Sequence, residues 1–254
     1  HFPLVLRQFV ICYFMKMMKK QLRNFAILLG LFSFSAQAID DVAWSVEQTA
    51  QTMSKFVQNK LNNDELRNLA RQFFAHDDAR SVFNIMRILA LKDDRNAQLD
   101  LGRFYFGGDG VEQNYEKAYW WFSEAAEKGS INALTNLGIM YVGGYGIQKS
   151  LKHGMELLEQ AAEFNDSHAM LVLGMLYFNE NKIKNFNKSF HWLEKSAKLG
   201  NEEAIFRLGL MYEHGVGTKR NRPMAMSIYR DLTAQKGHFS GMARERLEML
   251  NHYQ

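Results

Sequence analysis

Seven histidines fall between residues 76 and 252: His76, His153, His168, His191, His214, His238 and His252. Imidazole ligates metals and moves protons near neutral pH, so these are the first candidates for chemistry. None pairs with another at a metal-ligand spacing such as H-E-x-x-H. His168 and His191 could meet only through the fold. The carboxylate pairs Asp93-Asp94 and Glu202-Glu203 could in principle share acid–base work. Both stand at expected helix boundaries, where acids favour the helix N-terminus. The sequence has no G-x-S-x-G, no S-x-x-K and no phosphate-binding G-x-x-x-x-G-K-[ST]. Its single cysteine is Cys12. These residues assign no catalytic group, no metal site and no cofactor, and the expectation is a protein that is not an enzyme.

The N-terminal segment bears on the charge. Met17 to Asn24 is basic, Phe25 to Phe34 is apolar, and Ser35-Ala36-Gln37-Ala38 supplies small residues. That order is the grammar of a secretory signal peptide, with Ala36 and Ala38 flanking the A-x-A cleavage position. An apolar run of about ten residues is too short to span a bilayer, which takes about 20. Cleavage after Ala38 is predicted, with residues 1–16 upstream of the functional start. The protein is expected in the periplasm or outside the cell, with no membrane anchor after cleavage. The segment 1–38 carries five of the 31 basic residues and none of the 27 acids, leaving 26 against 27, a net charge of −1. The formal +4 of the whole chain therefore belongs to the leader, and nucleic acid is not an expected partner. No cysteine remains after the leader, so neither disulfides nor thiol chemistry operate there.

Four Leu-Gly pairs recur: Leu101-Gly102, Leu137-Gly138, Leu173-Gly174 and Leu208-Gly209, at spacings of 36, 36 and 35. A fixed period in the mid-thirties signals a helical solenoid. Each pair sits in Ala-x-x-x-Leu-Gly-x-x-Tyr, beginning at Ala97, Ala133, Ala169 and Ala204. Offsets of four and eight put Ala, Leu and Tyr on one helical face. Glycine inside a helix costs about 1 kcal/mol relative to alanine, so close packing of a second helix must offset it. That second helix follows a glycine-rich loop and carries apolar stripes: Ala118, Trp121, Phe122 and Ala125; Met155, Leu158, Ala161 and Ala162; Phe190, Leu193, Ser196 and Ala197; Ala225, Ile228 and Leu232. Gly129, Gly200 and Gly237 read as its C-caps.

Two departures stand out. Asn179-Glu180-Asn181-Lys182 replaces the glycine loop in the third repeat, which predicts a turn of different shape. Leu232-Thr233 stands where Ala-Ala is expected, which predicts looser docking of the downstream segment. Upstream, Asp64–Ala75 and Asp78–Leu91 read as a degenerate helix pair. Ile39 to Leu61 reads as a further helix. Downstream, Ala243, Leu247 and Leu250 line a closing helix, with Arg244, Glu245 and Arg246 pointing elsewhere.

The four motifs, the glycine loops and the Ala-Ala pairs at 125–126 and 161–162 resemble the Sel-one-like repeat, a subclass of tetratricopeptide-like α-solenoids. The resemblance implies an all-α, right-handed α-α superhelix of helix-turn-helix units. The expected organisation is 1–38 leader; 39–95 N-terminal helix and degenerate repeat; repeats at 96–131, 132–167, 168–202 and 203–237; and a capping helix at 238–254. Bacterial members linked to β-lactams carry a Cys pair per repeat, which this chain lacks.

The resemblance also implies that the first helix of each repeat lines a concave binding face. The expected inward positions lie five and two residues before, and two and five after, each motif Leu. They are Asn96, Leu99, Arg103 and Phe106; Asn132, Thr135, Ile139 and Val142; His168, Leu171, Met175 and Phe178; Glu203, Phe206, Leu210 and Glu213. The expected function is an exported scaffold that holds a protein or peptide segment there. Its partner would be a cell-envelope assembly protein or a host protein. The alternatives are an envelope enzyme acting on peptidoglycan or β-lactams, and a structural assembly subunit.

Overall fold

A computed structural model describes residues 61–252 except residue 236. The leader, the cleavage position at Ala36 and Ala38, and the helix expected from Ile39 lie outside the described residues. The chain divides into two units, residues 1–66 and 67–254, and the four repeats lie in the second. Every regular element among the described residues is an α-helix. None is long and apolar enough to cross a membrane.

The helices are α1 (Asn63–Ala75), α2 (Ala79–Leu91), α3 (Arg95–Gly107), α4 (Tyr115–Glu127), α5 (Ile131–Gly143), α6 (Leu151–Glu163), α7 (Ser167–Asn179), α8 (Phe186–Lys198), α9 (Glu202–His214), α10 (Arg222–Gln235) and α11 (Ser240–His252). From α2 onward, successive helices pack on one another down the chain. The motif helices are α3, α5, α7 and α9, and their partners are α4, α6, α8 and α10.

Capping sets this rhythm. Asp94, Ser130, Asp166 and Asn201 each accept a hydrogen bond from the backbone N–H of the motif alanine three residues on. Asp78, Asn114, Ser150, Asn185 and Asn221 do the same for α2, α4, α6, α8 and α10. Each such cap satisfies a helix N–H that would otherwise lack a partner. Asp93, beside the cap Asp94, takes a left-handed φ of 69° and pairs with Lys128 of the next repeat.

Each motif helix is tied to its partner by one recurring bond. The backbone N–H of Asn114, Ser150, Asn185 and Asn221 donates to the carbonyl of Tyr105, Tyr141, Tyr177 and Tyr212, at 2.8 to 2.9 Å. The third repeat keeps this bond without the glycines. Gly108, Gly144 and Gly215 end their helices in the left-handed region, whereas Glu180 ends α7 with φ −78°. The shorter loop turns instead through a bond from the Ile183 N–H to the Glu180 carbonyl.

The motif glycines are packed as their cost requires. A methyl group on Gly102 would stand 2.5 Å from the Phe122 ring. On Gly138, Gly174 and Gly209 it would stand 2.6 to 2.7 Å from Leu158, Leu193 and Tyr229. Alanine faces the next repeat: Ala125 and Ala133 share one core cluster, as do Ala161 and Ala169.

Two expectations are corrected. Leu232 and Thr233 do not loosen docking. Leu232 is fully buried with Ala243 and Leu250, and the Thr233 hydroxyl donates to the Tyr229 carbonyl. Arg246 does not point away from the stack; it reaches back to Glu213 of α9.

Candidate functional site

The face that α3, α5, α7 and α9 leave uncovered is rotated by one residue from the expectation. Its stripe lies at −5, −1, +2 and +6 from each motif Leu. The −5, +2 and +6 positions are Asn96, Arg103 and Gly107; Asn132, Ile139 and Gly143; His168, Met175 and Asn179; Glu203, Leu210 and His214. All are exposed or half-exposed. The −1 positions, Asp100, Asn136, Val172 and Arg207, complete it. This is the i, i+4, i+7, i+11 line of a helix.

The expected −2 positions lie in the core: Leu99, Thr135, Leu171 and Phe206 are between 1% and 6% exposed. The expected +5 positions pack on the partner helix. Phe106 meets the rings of Tyr115 and Tyr145 at 5.3 and 5.4 Å. Val142 fills the space over Gly154. Phe178 meets Phe186 at 5.2 Å. At −2, Phe206 contacts the rings of Tyr229 and Phe239. Each partner helix leans on its motif helix along the Gly side, which draws −2 and +5 inward. Phe206 is thus buried beneath the face and Phe106 and Val142 are half-buried beside it, whereas Phe178, also half-buried, lines a hollow next to α9.

Between α7 and α9 the stripe opens into a groove of about 340 Å³. Its lining brings together four expected residues, His168, Leu171, Met175 and Glu203, and four unforeseen ones, Val172, Leu176, Asn179 and Glu180. A second hollow of about 210 Å³ adjoins it across Met175. There Phe178 and Leu210 join Leu193, Arg207, Met211, His214 and Val216. The floor is aliphatic and sulfur-bearing, and the rim is His168, Asn179, Glu180, Glu203, Arg207 and His214. Arg207 donates from Nε and Nη2 to Glu203 at 2.8 and 2.6 Å, joining the rims of the two hollows. Asn96, Arg103, Asn132 and Ile139 do not reach this groove; they continue the stripe on α3 and α5. Asp100 there pairs with Arg103 at 3.2 Å, and burial pushes its carboxyl above the usual range despite that arginine.

Glu213 has a separate role. Its buried carboxylate accepts from the Tyr229 hydroxyl at 2.9 Å and from Arg246 Nε at 3.2 Å, with Arg246 Nη2 also bonded. Burial and the Glu213 carboxylate raise the Tyr229 pKa. The cluster joins α9, α10 and α11. Only the motif spacing could have shown it: Glu213 replaces Phe106, Val142 and Phe178 while Tyr229 replaces Phe122, Leu158 and Leu193. No group of three or more metal-ligating side chains forms among the described residues. The groove can hold apolar side chains by burial and backbone by its polar rim, and it offers no nucleophile–base pair.

Comparisons with known proteins agree with this geometry. The Sel1 repeat profile matches residues 95–130, 131–164, 167–201 and 202–230. A search of curated proteins found no match. Among solved structures, the chain is similar to a protective antigen of uropathogenic Escherichia coli strains displaying an SLR fold. That match has 25% identity and a TM-score of 0.63 over 80% of this chain and 44% of that one. It is also similar to a Sel1 repeat protein from Oxalobacter formigenes, with 26% identity and a TM-score of 0.59 over 77% and 58% of the two chains. A sel1 repeat protein from Klebsiella pneumoniae shares the fold at 19% identity and a TM-score of 0.51, over 74% and 93%. The chain thus spans about half the length of the first two. Sel1 repeat proteins generally mediate protein–protein interaction, and this chain, matched over more than half its length, belongs to the Sel1 repeat family.

Proposed function

We propose that the protein is an exported interaction scaffold that holds a segment of another protein in the groove between α7 and α9. The observation that carries this reading is the apolar floor of Leu171, Val172, Met175 and Leu176, rimmed by polar groups and open to solvent. Partly exposed apolar surface of this kind marks partner sites. The polar rim suits a peptide backbone, and the adjoining hollow around Phe178 and Leu210 admits a second apolar side chain. The occupant is a segment of a cell-envelope or host protein, met after export into the periplasm or beyond.

Crosslinking and pull-down from the native envelope or culture fluid tests the binding. Met175→Glu and Leu210→Glu place charge on the groove floor from half-exposed positions. Both variants should keep the helical circular dichroism of the parent and lose the captured protein. Capture at parental levels by both would retire the groove. Export is tested by N-terminal sequencing of the exported protein, which should begin at Ile39; a start upstream would overturn cleavage after Ala38.

A further inference from the structure

The edge of the stack where each motif helix turns into its partner changes charge along the chain. The bond from each cap N–H to the motif tyrosine carbonyl puts the four loops at the same end of their helix pairs. The residue before each cap is Gln113, Lys149, Lys184 and Arg220, and all four are exposed. Near Gln113 stand Asp109, Glu112 and Glu116, with Lys117 as the one base among them. Repeats three and four reverse that balance. Residues 181–193 hold three lysines, residues 214–230 hold four lysines or arginines, and neither stretch holds an acid. Glu180, just upstream, lines the groove on α7. Gly217 closes on the Phe186 carbonyl, so the fourth loop lies against the start of α8.

These cations have no acidic partners. Lys149, Lys182, Lys184, Lys188 and Lys219 form no ion pair among the described residues. Lys184 and Lys188 lie over the rings of Phe186 and Tyr177 at 5.9 and 5.2 Å. Arg220 Nε donates to the Glu213 carbonyl at 3.0 Å. Arg222 turns away to the Leu250 carbonyl, and Arg230 stands two turns farther along α10. Large apolar side chains stand among the cations of the edge: Tyr145, Phe186 and Met224 are 38%, 39% and 44% exposed. Repeats two, three and four thus each present a cation and an apolar group at one end.

We propose that this edge docks on the surface of an anionic phospholipid leaflet. The lysines and Arg220 meet the headgroup phosphates. Tyr145, Phe186 and Met224 enter the boundary between headgroups and acyl chains. A soluble polyanion would answer the cations and leave those three side chains in water. A neutral apolar partner would desolvate the cations without a counter-charge. An anionic leaflet answers both along one row. No described helix is long and apolar enough to cross a membrane, so the contact is peripheral. It needs nothing of the groove between α7 and α9.

Cosedimentation of the protein, purified from its native envelope or culture fraction, with lipid vesicles tests this. Phosphatidylcholine vesicles with about 30% phosphatidylglycerol should bind it at about 0.1 M ionic strength, where screening extends about 10 Å, and release it at about 1 M. Phosphatidylcholine alone should not bind it. Each Lys or Arg near an anionic surface strengthens binding about fivefold, so Lys182→Glu with Lys184→Glu and Lys219→Glu should weaken it more than about a hundredfold. Lys195→Glu with Lys198→Glu and Arg244→Glu makes the same change in net charge away from the loops, and should weaken it less than about fivefold. All six side chains are exposed, and unchanged circular dichroism confirms folding. Soluble poly-glutamate at matched charge should leave the protein on the vesicles. A parent that anionic vesicles do not bind, equal losses for the two triple variants, or full displacement by poly-glutamate would each overturn the proposal.

Discussion

The first and fourth repeats close around a glycine in the same way but lock differently. In the first, Phe106 and Phe122 meet over Gly102, and the contact is wholly apolar. In the fourth, Glu213 and Tyr229 take those two places, and Arg246 of α11 completes a buried hydrogen-bonded group. One backbone geometry accepts either chemistry, provided the polar set arrives complete. A half-satisfied set would leave a buried charge unpaired, which costs more than the set contributes. The difference also ties α11 to the fourth repeat, a link the apolar lock has no counterpart for.

The comparison breaks most visibly at Glu213. Glu213→Ala should lower unfolding free energy by about 3 kcal/mol in urea titration, since Arg246 and the Tyr229 hydroxyl lose their shared acceptor. Replacing all three with apolar residues on the pattern of the second repeat, Glu213→Val, Tyr229→Leu and Arg246→Met, should leave stability within about 1 kcal/mol of the parent or raise it. A triple variant as weak as Glu213→Ala would show that the polar lock is needed for the fold itself.

The glycines sharpen what the two repeats share. Gly102→Ala and Gly209→Ala should each cost about 1–3 kcal/mol by overpacking, whatever the lock. The gain in helix propensity would stabilise by about 1 kcal/mol if the space were free, so stabilisation by either change would refute the close approach. Asp94→Ala removes a cap and an ion pair to Arg67, and should cost about 1 kcal/mol.

The smallest effect is on pH. The Tyr229 pKa is raised in the folded state, so its neutral form stabilises the fold fully below about pH 10, the unfolded value. That contribution is lost as pH rises above it. Tyr229→Phe should therefore lose less melting temperature than the parent between about pH 9 and pH 11. Equal losses would show that the hydroxyl does not couple to folding.

Much of the stack was legible in residue types. The period, the Ala-Leu-Tyr face and the packed glycine follow from spacing and from the cost of glycine in a helix. The caps were legible too: Asp94, Ser130, Asp166 and Asn201 repeat at the same period as the Leu-Gly pairs, and each stands three residues before a motif alanine. The exposed stripe differs from the expected line by one residue at two of its four positions. Helical periodicity gives a face but not the lean of the neighbouring helix, and that lean buries Phe206 and leaves Phe106, Val142 and Phe178 half-buried. Arg246 was misread because a partly exposed arginine on a closing helix looks solvated until its acceptor, 33 residues earlier, is seen in space. The groove was half legible. His168, Met175 and Glu203 were foreseen by offset, whereas Val172, Asn179 and Arg207 depended on the rotation.

Under the proposed function, repeats three and four rather than one and two carry the binding face. Met175 and Ile139 stand at the same offset from their motif leucines, one on the groove floor and the other outside it. The direct measurement is the affinity of the segment captured by the parent, identified by crosslinking, for Met175→Lys and Ile139→Lys. Met175→Lys should weaken binding more than about tenfold, and Ile139→Lys less than about twofold. Equal losses, or a larger loss for Ile139→Lys, would contradict the assignment.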